Sequence, residues 1–184
     1  AKAEEKDDDA DEEPKGPDPI MAAERYAATA KQLKKTERAI KKYGRDSTQA
    51  SKELKALGDK FQFFKMVPKQ NERIIVMART GHQQVRRLER IIMGLCVKQG
   101  KMPRKDFIEH FMGHEEDLKW VSKQIKGGYD NLKKCSDEIL RAQKRIKQIS
   151  DDMGLRISEL KDINRRMSIG EAKARRAKKD MVEA

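Results

Sequence analysis

Apolar residues recur along this chain at steps of three and four or their sum, the spacing that gathers side chains on one face of an α-helix. Tyr26, Ala30, Leu33, Ile40 and Tyr43 mark the first such stripe. Asp18 followed by Pro19 supplies a helix cap with proline at the first helical position, and Gly44 offers a left-handed stop, so one amphipathic helix is predicted between them. Ser47 can cap a second helix, in which Ala50, Leu54, Leu57, Phe61 and Phe64 line one side until Pro68 breaks it. A third stripe runs through Ile74, Ala78, Gly81, Val85, Leu88, Ile92 and Leu95, widened by Met77, Ile91 and Cys96, and closes at Gly100 and Pro103.

The next stretch is shorter-grained. Phe107, Ile108 and Phe111 precede Gly113, then Leu118, Val121 and Ile125 surround Trp120 before Gly127 and Gly128, which reads as two short helices packed as a lid. The most regular stripe follows, with Leu132, Cys135, Ile139, Ala142, Ile146, Ile149 and Met153 ending at Gly154. Beyond it, Leu160, Ile163 and Met167 suit a short helix, and Ser168-Ile169-Gly170-Glu171 reads as a capping box that starts another. No strand-like alternation or fixed-period repeat interrupts this. The seams would also suit a coiled-coil dimer, but antiparallel packing leaves fewer apolar faces uncovered. The expected fold is therefore all-α, an antiparallel helical bundle of long amphipathic helices with short helices in the connection, behind a disordered acidic N-terminal tail.

Composition sharpens that picture. Of 184 residues 36% are hydrophobic, 5% aromatic and 40% charged, which argues against a thick core with a deep apolar pocket. The net charge is +12, favouring polyanions or acidic protein surfaces as partners. Residues 1–13 oppose it, with eight acids against Lys2 and Lys6, a net of −6 that leaves the remainder at +18. Such a segment lacks the apolar surface to offset its ordering entropy. The longest apolar stretch, Ile91 to Met93 and Leu95 to Val97 around Gly94, is far short of a membrane span. The acidic amino end is unlike a secretory signal, and a chain opening on Ala1 reads as a fragment of a longer, cytoplasmic protein.

Candidate chemistry is sparse. Cys96 and Cys135 lie outside any CxxC or CxxH spacing and on apolar stripes, as two reduced, buried thiols would. His110 and His114 stand four apart, but Gly113 intervenes, Phe111 occupies the place of a zinc hydrolase's general base, and His82 is distant. No phosphate-cradling glycine motif or activated nucleophile is recognisable, so no catalytic residue, cofactor or metal ligand is expected. The strongest signal is basic: Arg165, Arg166, Lys173, Arg175, Arg176, Lys178 and Lys179 are seven cations in fifteen residues, with Glu171 the one acid among them. Such a helix can neutralise phosphates or dock on a carboxylate-rich surface. Aromatic residues are scarce there, so contact with nucleic acid would be to the backbone.

The run from Lys161 to Ala184, KDINRRMSIGEAKARRAKKDMVEA, closely resembles the opening of region two of bacterial primary sigma factors. Met66-Val67-Pro68-Lys69-Gln70, the segment from Leu95 through Gln99 to Lys101-Met102-Pro103, and the acidic tail before Asp18-Pro19 are similar to the family's nonconserved region. The stretch from His110 to Gly128 and Arg156 depart furthest from the family's pattern. The resemblance implies three parts: residues 1–17 as an acidic disordered linker, 18–160 as the helical nonconserved-region domain, and 161–184 as the start of region two. It implies core RNA polymerase as partner, through the clamp of the largest subunit, and promoter DNA as partner of the full-length protein. The fragment is expected to be monomeric, with the seven basic residues touching polymerase or DNA backbone. The alternative reading is a free-standing basic helical bundle that binds nucleic acid non-specifically through phosphates.

Overall fold

The computed structural model describes residues 18–183, and the predicted disordered linker, residues 1–17, lies outside the described residues. Among the described residues every regular element is helical. The chain divides between Met66 and Val67 into two compact units.

The first unit is a hairpin of α1, Pro19–Tyr43, and α2, Thr48–Phe61. Asp18 caps α1 by accepting from the Ile20 N–H at 3.0 Å, and Ser47 caps α2 by accepting from the Ala50 N–H at 3.1 Å. Gly44, at φ +80°, reverses the chain between them. The helices run antiparallel, since Thr36 meets Glu53 near the turn and Tyr26 stacks on Phe64 away from it. Their seam is narrower and more polar than the apolar stripe suggested. Tyr26 is 64% and Leu33 46% exposed, while Thr36 and Ala50 are buried. Two helices alone can enclose only one line of contact, and small side chains permit the closest approach there. Thr36 Oγ1 lies 2.9 Å from Gln32 O and 3.1 Å from Glu53 O, and Gln32 Nε2 donates to Glu53 Oε2 at 2.7 Å.

The second unit is built on α3, Pro68–Gly94, which continues as a π-helical turn, Leu95–Gln99. Then come α4, Arg104–Phe111; α5, Trp120–Lys126; a 3-10 turn, Asp130–Cys135; α6, Ser136–Met153; and α7, Ile157–Glu183. Helices α3, α6 and α7 pack along the stripes the sequence marked, burying Val85, Ile92, Ile139, Ile146 and Leu160. Gly154, at φ +61°, turns the chain from α6 towards α7.

Helices α4 and α5 are part of the core, which corrects their reading as a lid. Phe107, Phe111 and Trp120 are at most 5% exposed. Trp120 meets Phe111 edge-on at 5.0 Å and donates its indole N–H to His110 O at 2.8 Å. Each buried ring removes about 150–250 Å² from water, worth roughly 4–6 kcal/mol before entropy is counted.

Two boundaries differ from expectation. Leu132 and Cys135 are buried in the 3-10 turn, and α6 starts only at Ser136. The capping box at Ser168 does not form: α7 runs unbroken through it, and Glu171 pairs instead with Arg79 of α3. With its carboxylate engaged there, nothing in the sequence stops the helix, and one exposed glycine costs it only about 1 kcal/mol. Residue 160, where the second and third sequence segments were divided, falls inside the first turns of α7.

Gly100 closes the π-turn in a confined space. A Cβ there would meet the Cys96 carbonyl oxygen and the Leu132 side chain, whereas one on Gly94 would meet nothing within 4 Å. Gly100→Ala is expected to destabilise the protein by about 1–3 kcal/mol through overpacking. Gly94→Ala should be neutral or stabilise by up to about 1 kcal/mol through helix propensity. Urea unfolding of the two variants should therefore give midpoints displaced in opposite directions or, for Gly94→Ala, unmoved.

Candidate functional site

The seven cations singled out from the sequence all lie on α7, and the helix is fixed by its first half. Ile157 and Leu160 sit in the core. Asn164 follows on the same stripe and is buried, and its Nδ2 donates to Leu160 O at 2.9 Å and across to Ala78 O of α3 at 3.2 Å. Lys161 reaches between two carboxylates, its Nζ 2.6 Å from Glu89 Oε1 on α3 and 2.6 Å from Glu115 Oε1 in the connection between α4 and α5. Burial acts to lower the pKa of Lys161, but the bonds and charges of Glu115 and Glu89 outweigh it and hold the ammonium above its ordinary value. The Arg79–Glu171 pair adds a further clasp one turn beyond Met167.

From Ser168 to Glu183 every residue is exposed. Arg165 and Arg166 remain close to the body and share Asp162, at 2.7 Å and 2.8 Å. Those arginines, Arg165 first, hold the Asp162 carboxyl below its usual range. Lys179 approaches Glu183 at 3.4 Å. Lys173, Arg175, Arg176 and Lys178 make no ion pair among the described residues. At 100° per residue Arg165, Arg176 and Lys179 fall within about 60° of one another, with Lys173 and Arg166 to one side and Arg175 and Lys178 to the other. The projecting half of α7 is thus a rod charged around most of its circumference, suited to an anionic surface and unsuited to an apolar groove.

The histidines do not converge. His110 Nδ1 lies 3.2 Å from Gln124 Oε1, while His114 stands beyond Gly113, whose φ of +84° lies just past the end of α4. Among the described residues no three His, Cys, Asp or Glu side chains are grouped to hold a metal ion. Cys96 and Cys135 are buried and unbonded to each other. Burial, then the neighbouring Cys135, pushes the Cys96 thiol up to about 12, which makes it inert as a nucleophile. No described helix is long and apolar enough to cross a membrane.

Sequence reading missed the anchors Arg79, Glu89, Glu115, Lys161 and Asn164. One cue was available: Ile157, Leu160 and Asn164 step three and four, so a polar residue stood on an apolar stripe. Glu89 and Glu115 precede Lys161 by 72 and 46 positions, and no local pattern joins them to it.

Residues 1–150 match the sigma-70 non-essential region family, and the chain belongs to that family. It is similar to a curated relative, the RNA polymerase sigma factor RpoD of Neisseria gonorrhoeae, at 26% identity over 132 residues. That match covers 70% of this chain and 21% of the relative, so the chain spans about a fifth of the relative's length.

The anchoring of α7 can be tested at two residues. Lys161→Met leaves two carboxylates facing each other without a cation and should cost about 1–3 kcal/mol, discounted for partial exposure. Urea unfolding at pH 7 would check it, the variant's midpoint falling below the wild type's. His82, on α3 facing α7, is held below its ordinary pKa by burial and then by Arg86. A depressed value means that its share of stability is present above about pH 6.5 and is lost as pH falls through the lowered folded value. Thermal melts between about pH 7 and 5 should therefore show the wild type losing more stability than His82→Asn.

Proposed function

We propose that this chain is a piece of a primary sigma factor, the helical non-essential region with the opening of region two, and that it works without catalysis in transcription initiation. The complete factor would bind core RNA polymerase and direct it to promoter DNA. Within it, α7 would dock on the clamp of the polymerase's largest subunit, with Lys173, Arg175, Arg176, Lys178 and Lys179 facing acidic side chains there. Arg165 and Arg166, tethered by Asp162, would flank that contact at the body of the unit.

The observation that carries this reading is the contrast along one helix. Its first half is fixed in the core by Leu160, Lys161 and Asn164, and its second half projects exposed cations with few acids of its own. Like charges held on a rigid rod repel one another, and an anionic partner relieves that repulsion and gains steered association. Such a contact supports holoenzyme assembly and the early steps of transcription, and it needs no metal, cofactor or nucleophile.

The test is charge reversal in the complete factor. Arg175→Glu, Arg176→Glu, Lys178→Glu and Lys179→Glu together should weaken assembly with core polymerase at least about tenfold, since like charges then oppose an acidic surface. Competition for core enzyme against the wild-type factor would measure it. Equal competition at physiological salt would refute the assignment of α7.

A further inference from the structure

A second basic surface lies on the α1–α2 hairpin. Lys31, Lys34, Lys35 and Arg38 follow one another along α1 within two turns, at spacings that put their side chains on a shared face. The reversal at Gly44 brings Lys60 of α2 to the same side. With Ala28 and Gln32 these residues line a groove of ≈ 640 Å³ that holds five cations and no acid.

The local acid is already engaged. Glu53 accepts from Gln32 at 2.7 Å and pairs with Lys35 at 3.0 Å, and these contacts, Gln32 first, hold its carboxyl below the usual range. It offsets Lys35 alone. Among the described residues Lys31, Lys34, Arg38 and Lys60 make no ion pair. On α7 three of the seven cations have an acid beside them, Asp162 by Arg165 and Arg166 and Glu183 by Lys179. On α1 the like charges stand at the positions where they repel most, which disfavours the bare helix and rewards an anion laid along it.

The geometry selects among anions. Lys31 and Arg38 stand two turns apart, about 10 Å along the axis. Over that length one strand of duplex DNA presents about three phosphates. Single strands are held largely by stacking on aromatic side chains, and no ring lines this groove. Of this unit's rings, Tyr26 stacks on Phe64, Phe61 lies beside Phe64, Phe63 lies under Arg25 and Tyr43 under Lys42, all outside the groove's lining. Protein interfaces centre on buried apolar or aromatic anchors, and here Ala28 is the one apolar lining residue.

We propose that the α1–α2 hairpin carries a sequence-independent binding surface for the phosphate backbone of double-stranded DNA, formed by Lys31, Lys34, Arg38 and Lys60. The surface is independent of α7 and of the polymerase contact assigned to it.

The experiment measures binding of the full chain to a short labelled DNA duplex by fluorescence anisotropy between about 50 and 200 mM salt. The test variant combines Lys31→Gln, Lys34→Gln, Arg38→Gln and Lys60→Gln, leaving Lys35 to its pair with Glu53. Its affinity at low salt should fall at least about tenfold, and its log–log salt slope should become shallower by about 0.9 for each phosphate no longer neutralised. Its melting temperature should equal or exceed the wild type's, an outcome that a merely structural role for these cations would not give. Should the quadruple variant fail to fold, Lys31→Gln with Lys34→Gln is expected to show about half the slope change. The matched α7 variant, Arg175→Gln, Arg176→Gln, Lys178→Gln and Lys179→Gln, should lose less affinity than the hairpin variant. Wild-type affinity and slope in the hairpin variants would overturn the proposal. So would tighter binding of a single strand of equal length, or displacement of the duplex by polyglutamate at equal charge.

Discussion

Lys161 carries its charge into a place where two carboxylates have little water to share. Glu89 comes from α3 and Glu115 from the connection between α4 and α5, and the ammonium stands 2.6 Å from each. Alone, any of the three groups would be costly there, since a partly buried charge without a partner loses hydration and gains nothing. Together they make the direction of α7 depend on two other parts of its unit. Asn164 adds directionality, because a hydrogen bond to Ala78 O fixes how far the helix can slide along α3. The projecting basic half inherits its position from those contacts and from the Arg79–Glu171 pair at its start.

The two units meet the same composition in different ways. The hairpin buries little, and Gln32, Thr36 and Glu53 supply hydrogen bonds where larger apolar residues would not fit. The second unit gathers Phe107, Phe111 and Trp120 in one place, so short helices that would be marginal alone are held by aromatic burial. Both leave their cations outward: on α1 in a row facing a groove, on α7 around an exposed rod. Two basic surfaces of different shape result, and the shapes distinguish the partners each suits.

Much of this was legible in the chain itself. Long stripes such as Val85 to Ile92 and Ile139 to Ile146 are buried as their spacing predicts, because one face of a long helix has to meet something. The caps at Asp18, Ser47 and Gly154 formed because they rest on local backbone geometry. The stripe on α1 misled because periodicity identifies a face and says nothing about how many neighbours will cover it. The capping box at Ser168 misled for a related reason: its Glu171 found Arg79, 92 positions earlier in the chain. All seven basic residues fall on one helix, because a charge cluster is visible in one dimension. The residues that hold their helix in place were missed because ion pairs across a fold leave no such trace.

The π-turn at Leu95–Gln99 fits one residue more into a turn than an α-helix does, closing with Gly100 N–H on Leu95 O at 3.0 Å. That extra residue sets the phase between α3 and all that follows it. Were the turn wound as ordinary α-helix, the chain beyond it would be displaced by about 100° around the axis of α3 and by about 1.5 Å along it. Met102, whose N–H is tied to Cys96 O at 3.0 Å, would then face a different direction, and the route to Phe107 and Trp120 with it. The widened turn acts as a phase shifter, letting a straight helix with a regular repeat hand its chain to a cluster of rings that does not share that repeat.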